Sequence, residues 1–157
     1  MKNNNFNIYN NLIKLTRNKN LYINLNNSET FGDRLFFLFL HFSILLKVFK
    51  KDIPKKELQE LFDYIIRQID LSIREIGFGD ATVNKKMKSY INLLYSIIDS
   101  LEKMNNKNYN DKSLFLKKYL NERANIDFYV KYMDNYINFL LKSSLKMFTK
   151  DIIEFNF

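Results

Sequence analysis

Few side chains in this 157-residue chain are equipped for covalent chemistry. There is no cysteine and a single histidine, His41. Thiolate nucleophiles, disulfides and thiolate metal sites are therefore excluded, and a metal would have to lean on carboxylates. His41 is the obvious catalytic suspect, but it lies inside the run L-F-F-L-F-L-H-F-S-I-L-L, and no Ser–His or Cys–His pairing can be read beside it. A buried neutral imidazole needs one hydrogen-bond partner and serves as a polar link within a core. The acid pairs Glu57/Glu60 and Asp63/Asp70 have spacings that put them on one helical groove, yet Lys55, Lys56 and Arg67 interleave with them. That mixture marks a solvated helix face. There is no E-x-x-H, and no glycine loop followed by Lys-Ser or Lys-Thr that would cradle a phosphate. The residues thus predict no enzyme, no cofactor and no metal site.

One stretch concentrates charge of both signs around two of the three glycines: R-E-I-G-F-G-D-A-T-V-N-K-K-M-K, Arg74 to Lys88. Before it, Leu58, Leu61, Phe62, Ile65, Ile69, Ile73 and Ile76 keep i, i+3, i+4 spacing; after it, Val83, Met87, Ile91, Leu94, Ile98 and Leu101 do the same. Both segments read as amphipathic helices. Gly77 is the expected stop, with positive φ, and Asp80 or Thr82 the expected cap of the following helix. Arg74 is placed either to tie Asp80 across the turn or to join Glu75, Asp80, Lys85, Lys86 and Lys88 in a partner-binding surface. Gly77, Gly79, Thr82, Val83 and Met87 are then the structural members of the corner. The Gly77-x-Gly79 pair ends a helix and does not follow a strand, so a dinucleotide loop fails its context.

The elements that must hold this corner are helical throughout. Residues 6–17 predict a helix with Phe6, Tyr9, Leu12 or Ile13 and Thr16 on one side. Residues 18–30 are Asn-rich and read as irregular, anchored by Leu21, Tyr22, Ile23 and Leu25, with Ser28 or Thr30 as the next cap. Residues 35–49 are apolar all round, which fits a core or a membrane. The apolar run, Leu35 to Leu46, which includes His41 and Ser43, is well short of the about 20 residues a span needs, so it reads as the central core helix. Pro54 suits the first turn of a helix near 55–76. Further helices are expected near 82–104, 111–122 and 126–148. The apolar tail I-I-E-F-N-F either packs back or meets a partner. The prediction is an all-α single domain, residues 1–157, of about six helices around residues 35–49.

The net charge is +8, with +5 in residues 1–50, zero in 51–100 and +3 in 101–157. A basic surface favours RNA or an anionic membrane face. No dense basic run accompanies the excess, so it also suits solubility alone. Met1–Asn5 is followed by a mixed segment rather than a continuous apolar one, so no secretory signal is expected, and an Arg/Ser-rich transit peptide is missing. The many asparagines look like compositional drift as much as function.

The string R-E-x-G-x-G-D-x-x-V-x-K-x-M-K, carried by Arg74, Glu75, Gly77, Gly79, Asp80, Val83, Lys85, Met87 and Lys88, resembles the signature of the ubiquinol–cytochrome c chaperone family. Arg34, Leu40 and His41 fit a second element of that pattern, which places Arg34 and His41 in the core, and Arg17 and Tyr22 fit a short R-x-x-x-x-Y element. The resemblance covers roughly residues 9–145 and is strongest at 74–88. It departs at Leu94-Tyr95-Ser96-Ile97, where the family's F-Y-G-R keeps only its tyrosine, and at Leu120–Asn125, where an Arg-Asn pair is not recognisable. What the resemblance implies is a non-enzymatic assembly chaperone of the cytochrome bc1 complex that binds newly made cytochrome b. It also implies a small helper protein and the ribosome as further partners. The place implied is a bacterial cytoplasm or the mitochondrial matrix, peripheral to the inner membrane, where the basic surface read above would suit contact with anionic lipid; no small-molecule substrate is implied. The alternatives from other classes are a basic helical RNA- or ribosome-binding module and a structural subunit of a complex.

Overall fold

The computed structural model describes residues 2–150 and 153–155. Its eight helices are α1 (Lys2–Thr16), α2 (Lys19–Ile23), α3 (Phe31–Phe49), α4 (Lys55–Glu75), α5 (Asp80–Lys103), α6 (Tyr109–Tyr119), α7 (Ile126–Lys142) and α8 (Leu145–Lys150). There is no strand among the described residues.

α3 is the element on which the others pack. It opens on a capping box: the Thr30 hydroxyl accepts from the Asp33 N–H at 3.1 Å, and the Asp33 carboxylate accepts from the Thr30 N–H at 2.8 Å. From Leu35 to Leu46 every residue is buried. Such a helix needs neighbours on several sides, and α1, α5 and α7 supply them. No helix among the described residues is long and apolar enough to cross a membrane. Arg34 lies one residue before the buried stretch, in the first turn of α3, and is exposed; it does not belong to the core, where an unpaired guanidinium would carry a large desolvation cost.

α4 presents a narrow buried stripe, Leu61, Ile65, Ile69 and Ile73, at strict i+4 spacing. Ile76 falls beyond it and is exposed. Pro54 is the N-cap, just ahead of the first turn. α5 buries Val83, Met87, Leu94, Ile97 and Leu101. Its C-terminal carbonyls, which have no intrahelical partners, are met by Lys47 of α3. The ammonium donates to the carbonyls of Leu101 and Met104 and to Asn106 Oδ1. Partial burial lowers the Lys47 pKa, and Glu102 opposes that shift.

Four expectations from the sequence are corrected. The segment 18–30 is not wholly irregular: Asn18 Oδ1 accepts from the Asn20 N–H at 3.0 Å and starts the short α2. The final helix does not run unbroken through 126–148. It ends at Ser143, whose hydroxyl donates to the Phe139 carbonyl at 2.7 Å and competes with the backbone ladder. This break folds α8 back onto α1 and buries Phe148. Phe6 is exposed, because Ile8, Leu12 and Leu15 of α1 take the inward positions; in α6 the apolar residues expected to pack, Leu114, Phe115, Tyr119 and Leu120, do so except Leu114, which is exposed. The asparagines are not idle either. Asn7 Nδ2 donates to the Thr149 carbonyl at 2.6 Å, and Asn11 Nδ2 to that of Phe148 at 3.1 Å. The Ile153 N–H returns to Asn11 Oδ1 at 3.2 Å, and Lys14 Nζ reaches the Ile153 carbonyl at 3.0 Å. A second set joins the loop around Leu25 to the loop before α7: Asn125 N–H to the Asn24 carbonyl, Asn121 to that of Leu25, and Asn26 to that of Arg123. In the tail, Ile153 is buried and Phe155 half-buried, packed against Tyr132, Tyr136 and Phe139. Asp151, Ile152, Asn156 and Phe157 lie outside the described residues.

Candidate functional site

The junction of α4 and α5 is built by two helix ends of opposite polarity. α4 closes with its Ile76 and Gly77 N–H groups bonded back to the carbonyls of Ile73 and Arg74. Gly77 has φ of +102°, a conformation that side chains bearing a Cβ rarely adopt, so glycine is required there on backbone grounds. Gly79 has φ of −70° and serves as the N-cap of α5. Neither Asp80 nor Thr82 caps α5, contrary to expectation; Asp80 is already the first helical residue, and its carboxylate is engaged elsewhere. Arg74 takes it. The guanidinium donates to Asp80 Oδ1 at 2.5 Å and to Asp70 Oδ2 at 2.7 Å. Arg74 sits in the last turn of α4 and Asp80 in the first turn of α5, each at the helix end whose partial charge favours it. The hydrogen bonds to Asp70 and Asp80 hold the Arg74 pKa above its ordinary value.

This pairing divides the charged residues of the corner. Arg74, Asp70 and Asp80 satisfy one another. Glu75, Lys85 and Lys88 are exposed and have no ion pair or hydrogen bond among the described residues. Lys86 lies over the Phe78 ring, 4.7 Å from its centroid, a cation–π contact. Val83 and Met87 anchor the start of α5 in the core, while Thr82 is exposed. Two apolar side chains stand out at the turn: Ile76, expected on the inward stripe of α4, is 59% exposed, and Phe78, which the sequence reading did not single out, is 41% exposed. The signal for Phe78 was available, since a residue between a positive-φ glycine and an N-cap glycine lies on neither helix and has no inward face to occupy.

His41 occupies the opposite kind of environment. It is fully buried, and burial lowers its pKa to about 3. Nε2 of the neutral ring shares a hydrogen bond with the Tyr132 hydroxyl at 2.6 Å, while Nδ1 lies 3.3 Å from Thr16 Oγ1. Thr16 in turn donates to the Leu12 carbonyl at 2.9 Å, and Tyr136 donates to the His41 carbonyl at 3.2 Å. Both tyrosine rings meet the imidazole edge to face. The cluster ties α1 and α7 to α3.

The acid pairs form no joint site. Asp63 accepts from Gln59 and Asp70 from Arg74, and Glu57 is exposed. No group of three His, Cys, Asp or Glu able to hold a metal ion exists among the described residues.

The corner is therefore a bridged turn that presents two exposed apolar side chains, Phe78 with Lys86 over its ring, and no nucleophile or base is aimed at a common point. The family described as Ubiquinol-cytochrome C chaperone matches residues 24–146, which include the corner, α3 and α7. No curated protein and no solved structure matches the chain. The match spans most of the sequence, and the chain belongs to the ubiquinol–cytochrome c chaperone family.

Proposed function

We propose that this protein is a non-catalytic assembly chaperone of the cytochrome bc1 complex that binds newly made cytochrome b, and that its client meets the α4–α5 corner. Family membership supports the chaperone role. The observation that carries the choice of surface is the exposure of Ile76 and Phe78 on a backbone locked by Gly77 and the Arg74 bridges. Exposed apolar side chains on a rigid turn suit a client whose segments are themselves apolar, and no chemistry beyond shielding is asked of the chaperone. Lys85, Lys86 and Lys88 beside them favour segments flanked by acidic groups. In this reading the chain acts as one helical domain, in a bacterial cytoplasm or the mitochondrial matrix at the inner membrane. A small helper protein and the ribosome are its further partners.

The test is a tagged pull-down from membranes with cytochrome b quantified, using the parent, Phe78→Ser, and Lys85→Ala/Lys86→Ala. Exposed substitutions of this kind change stability by about 0.5 kcal/mol or less, so melting is expected to hold while cytochrome b recovery falls. Undiminished recovery in both variants would remove the corner from the interface. Steeply salt-dependent RNA binding with no cytochrome b recovered from the parent would replace the chaperone reading with the nucleic-acid one.

A further inference from the structure

Arg17, Tyr22 and Arg34 play no part in the corner, yet the fold brings all three to one place. They line a cavity of about 370 Å³ bounded by α1, α2, the start of α3 and the C-terminal half of α4. Its inner lining is mainly aliphatic, Ile13, Leu35, Leu38 and Ile69, and the hydroxyl of Thr16 beside them is committed to the Leu12 carbonyl. Its mouth carries Arg17, Lys19 and Arg34, all exposed, against one carboxylate, Glu29. Neither arginine has a carboxylate partner among the described residues. At the rim the Tyr22 hydroxyl is already committed to the Thr16 carbonyl.

We propose that this cavity binds an acidic phospholipid, with its phosphate held between Arg17 and Arg34 and the upper part of an acyl chain on the aliphatic floor. The order of chemistry from mouth to floor, cations and then hydrocarbon, is that of an anionic amphiphile. Guanidinium groups match phosphate oxygens in paired hydrogen bonds, and two unpaired arginines with a lysine exceed what a single fatty-acid carboxylate needs. An acidic peptide fits less well. Its backbone amides would enter an aliphatic floor that offers them no partners, at a cost that an acyl chain does not incur. The cavity lies outside the corner assigned to the client, so the lipid site stands or falls independently of it.

Flotation with vesicles tests the site. The parent is expected to bind phosphatidylcholine vesicles containing phosphatidylglycerol and not vesicles of phosphatidylcholine alone. Arg17→Gln/Arg34→Gln should weaken binding about tenfold, because each basic residue near an anionic surface contributes severalfold. Lys131→Gln/Lys142→Gln on α7 removes the same charge from exposed positions elsewhere and should weaken it by less than about twofold. Ser72 is exposed at the cavity wall, and Ser72→Trp fills the space without replacing a core side chain. It should match the double arginine variant while melting like the parent in the absence of lipid. Soluble dihexanoyl-phosphatidylglycerol should raise the Tm of the parent and leave that of the arginine variant unchanged. Equal losses from the two double variants would show diffuse attraction to a basic surface and overturn the proposal. Full binding by Ser72→Trp would also overturn it. So would a Tm rise of the same size with inorganic phosphate alone.

Discussion

At the α4–α5 corner the ion pairs stand in water; around His41 the polar groups stand in hydrocarbon. Arg74 bridges Asp70 and Asp80 with Asp80 almost fully exposed, and such pairs are screened and individually weak. His41, Tyr132, Tyr136 and Thr16 are buried, and each has a partner for its polar atoms. A polar group costs little to disturb in the first setting and much in the second. The two regions therefore carry their fixed residues for different reasons. The histidine cluster keeps three helices in register. The corner holds a shape whose exposed side chains contribute little to the fold.

Mutations should separate the two regions. The largest loss is expected at His41→Ala, which opens a cavity and removes the buried hydrogen bond to the Tyr132 hydroxyl. Truncations of this kind cost about 2–5 kcal/mol. His41→Gln retains an acceptor and should lose clearly less; equal losses on chemical denaturation would mean that the hydrogen bonds are not what His41 supplies. Acid should expose the same difference. The folded pKa of His41, about 3, lies below its ordinary 6.5, so between these values the unfolded chain takes up a proton that the folded chain refuses. Stability is then expected to fall as pH drops below 6.5, by about 1.4 kcal/mol per pH unit from this group. The slope should flatten in His41→Gln, and the corner variants should keep it. Third comes the turn. No atom lies within 4 Å of a Cβ built on Gly77, so Gly77→Val meets only backbone strain, costing about 1–3 kcal/mol. Gly79→Ser is its counterpart: φ is ordinary, the serine supplies a missing side-chain cap, and stability should rise by a few tenths of a kcal/mol at most. A similar penalty at both glycines in thermal melts would show that the corner is constrained by something other than the φ of Gly77.

Much of this was legible in the sequence, and the misses have physical causes. The apolar run at 35–46 and the i+4 stripe of α4 are patterns that burial itself imposes, so the central helix and the helices beside the corner could be placed. The positive φ of Gly77 followed from a glycine at the end of a periodic run. The cap of α5 did not follow, because Asp80 had two outlets, the N–H groups of its own helix and the guanidinium of Arg74, and spacing does not rank them. The break at Ser143 turns on one hydroxyl bonding four residues back, and a serine pair leaves no periodic mark. The core position of Arg34 is implied by the resemblance element it shares with Leu40 and His41; it is exposed because it precedes, by one residue, the stretch that is buried all round. The convergence of Arg17 and Arg34 depends on how α1 and α3 cross, which no local pattern encodes.

The bonds from α1 to the far end of the chain also fix an order of events. Asn7 and Asn11 find their acceptors 142 and 137 residues away. Contacts so distant in sequence are late to form, since closing the loop costs entropy before any bond repays it. The bonds of α1 to α8 and the tail are thus among the last to form, and they wait for Phe148, Thr149 and Ile153 to leave the ribosome, although α1 also packs on α3 and α4. A chain ending at Lys142 should show rapid amide exchange across α1 with α3, α5 and α7 still protected; slow exchange in α1 would mean that α3 and α4 alone can hold it.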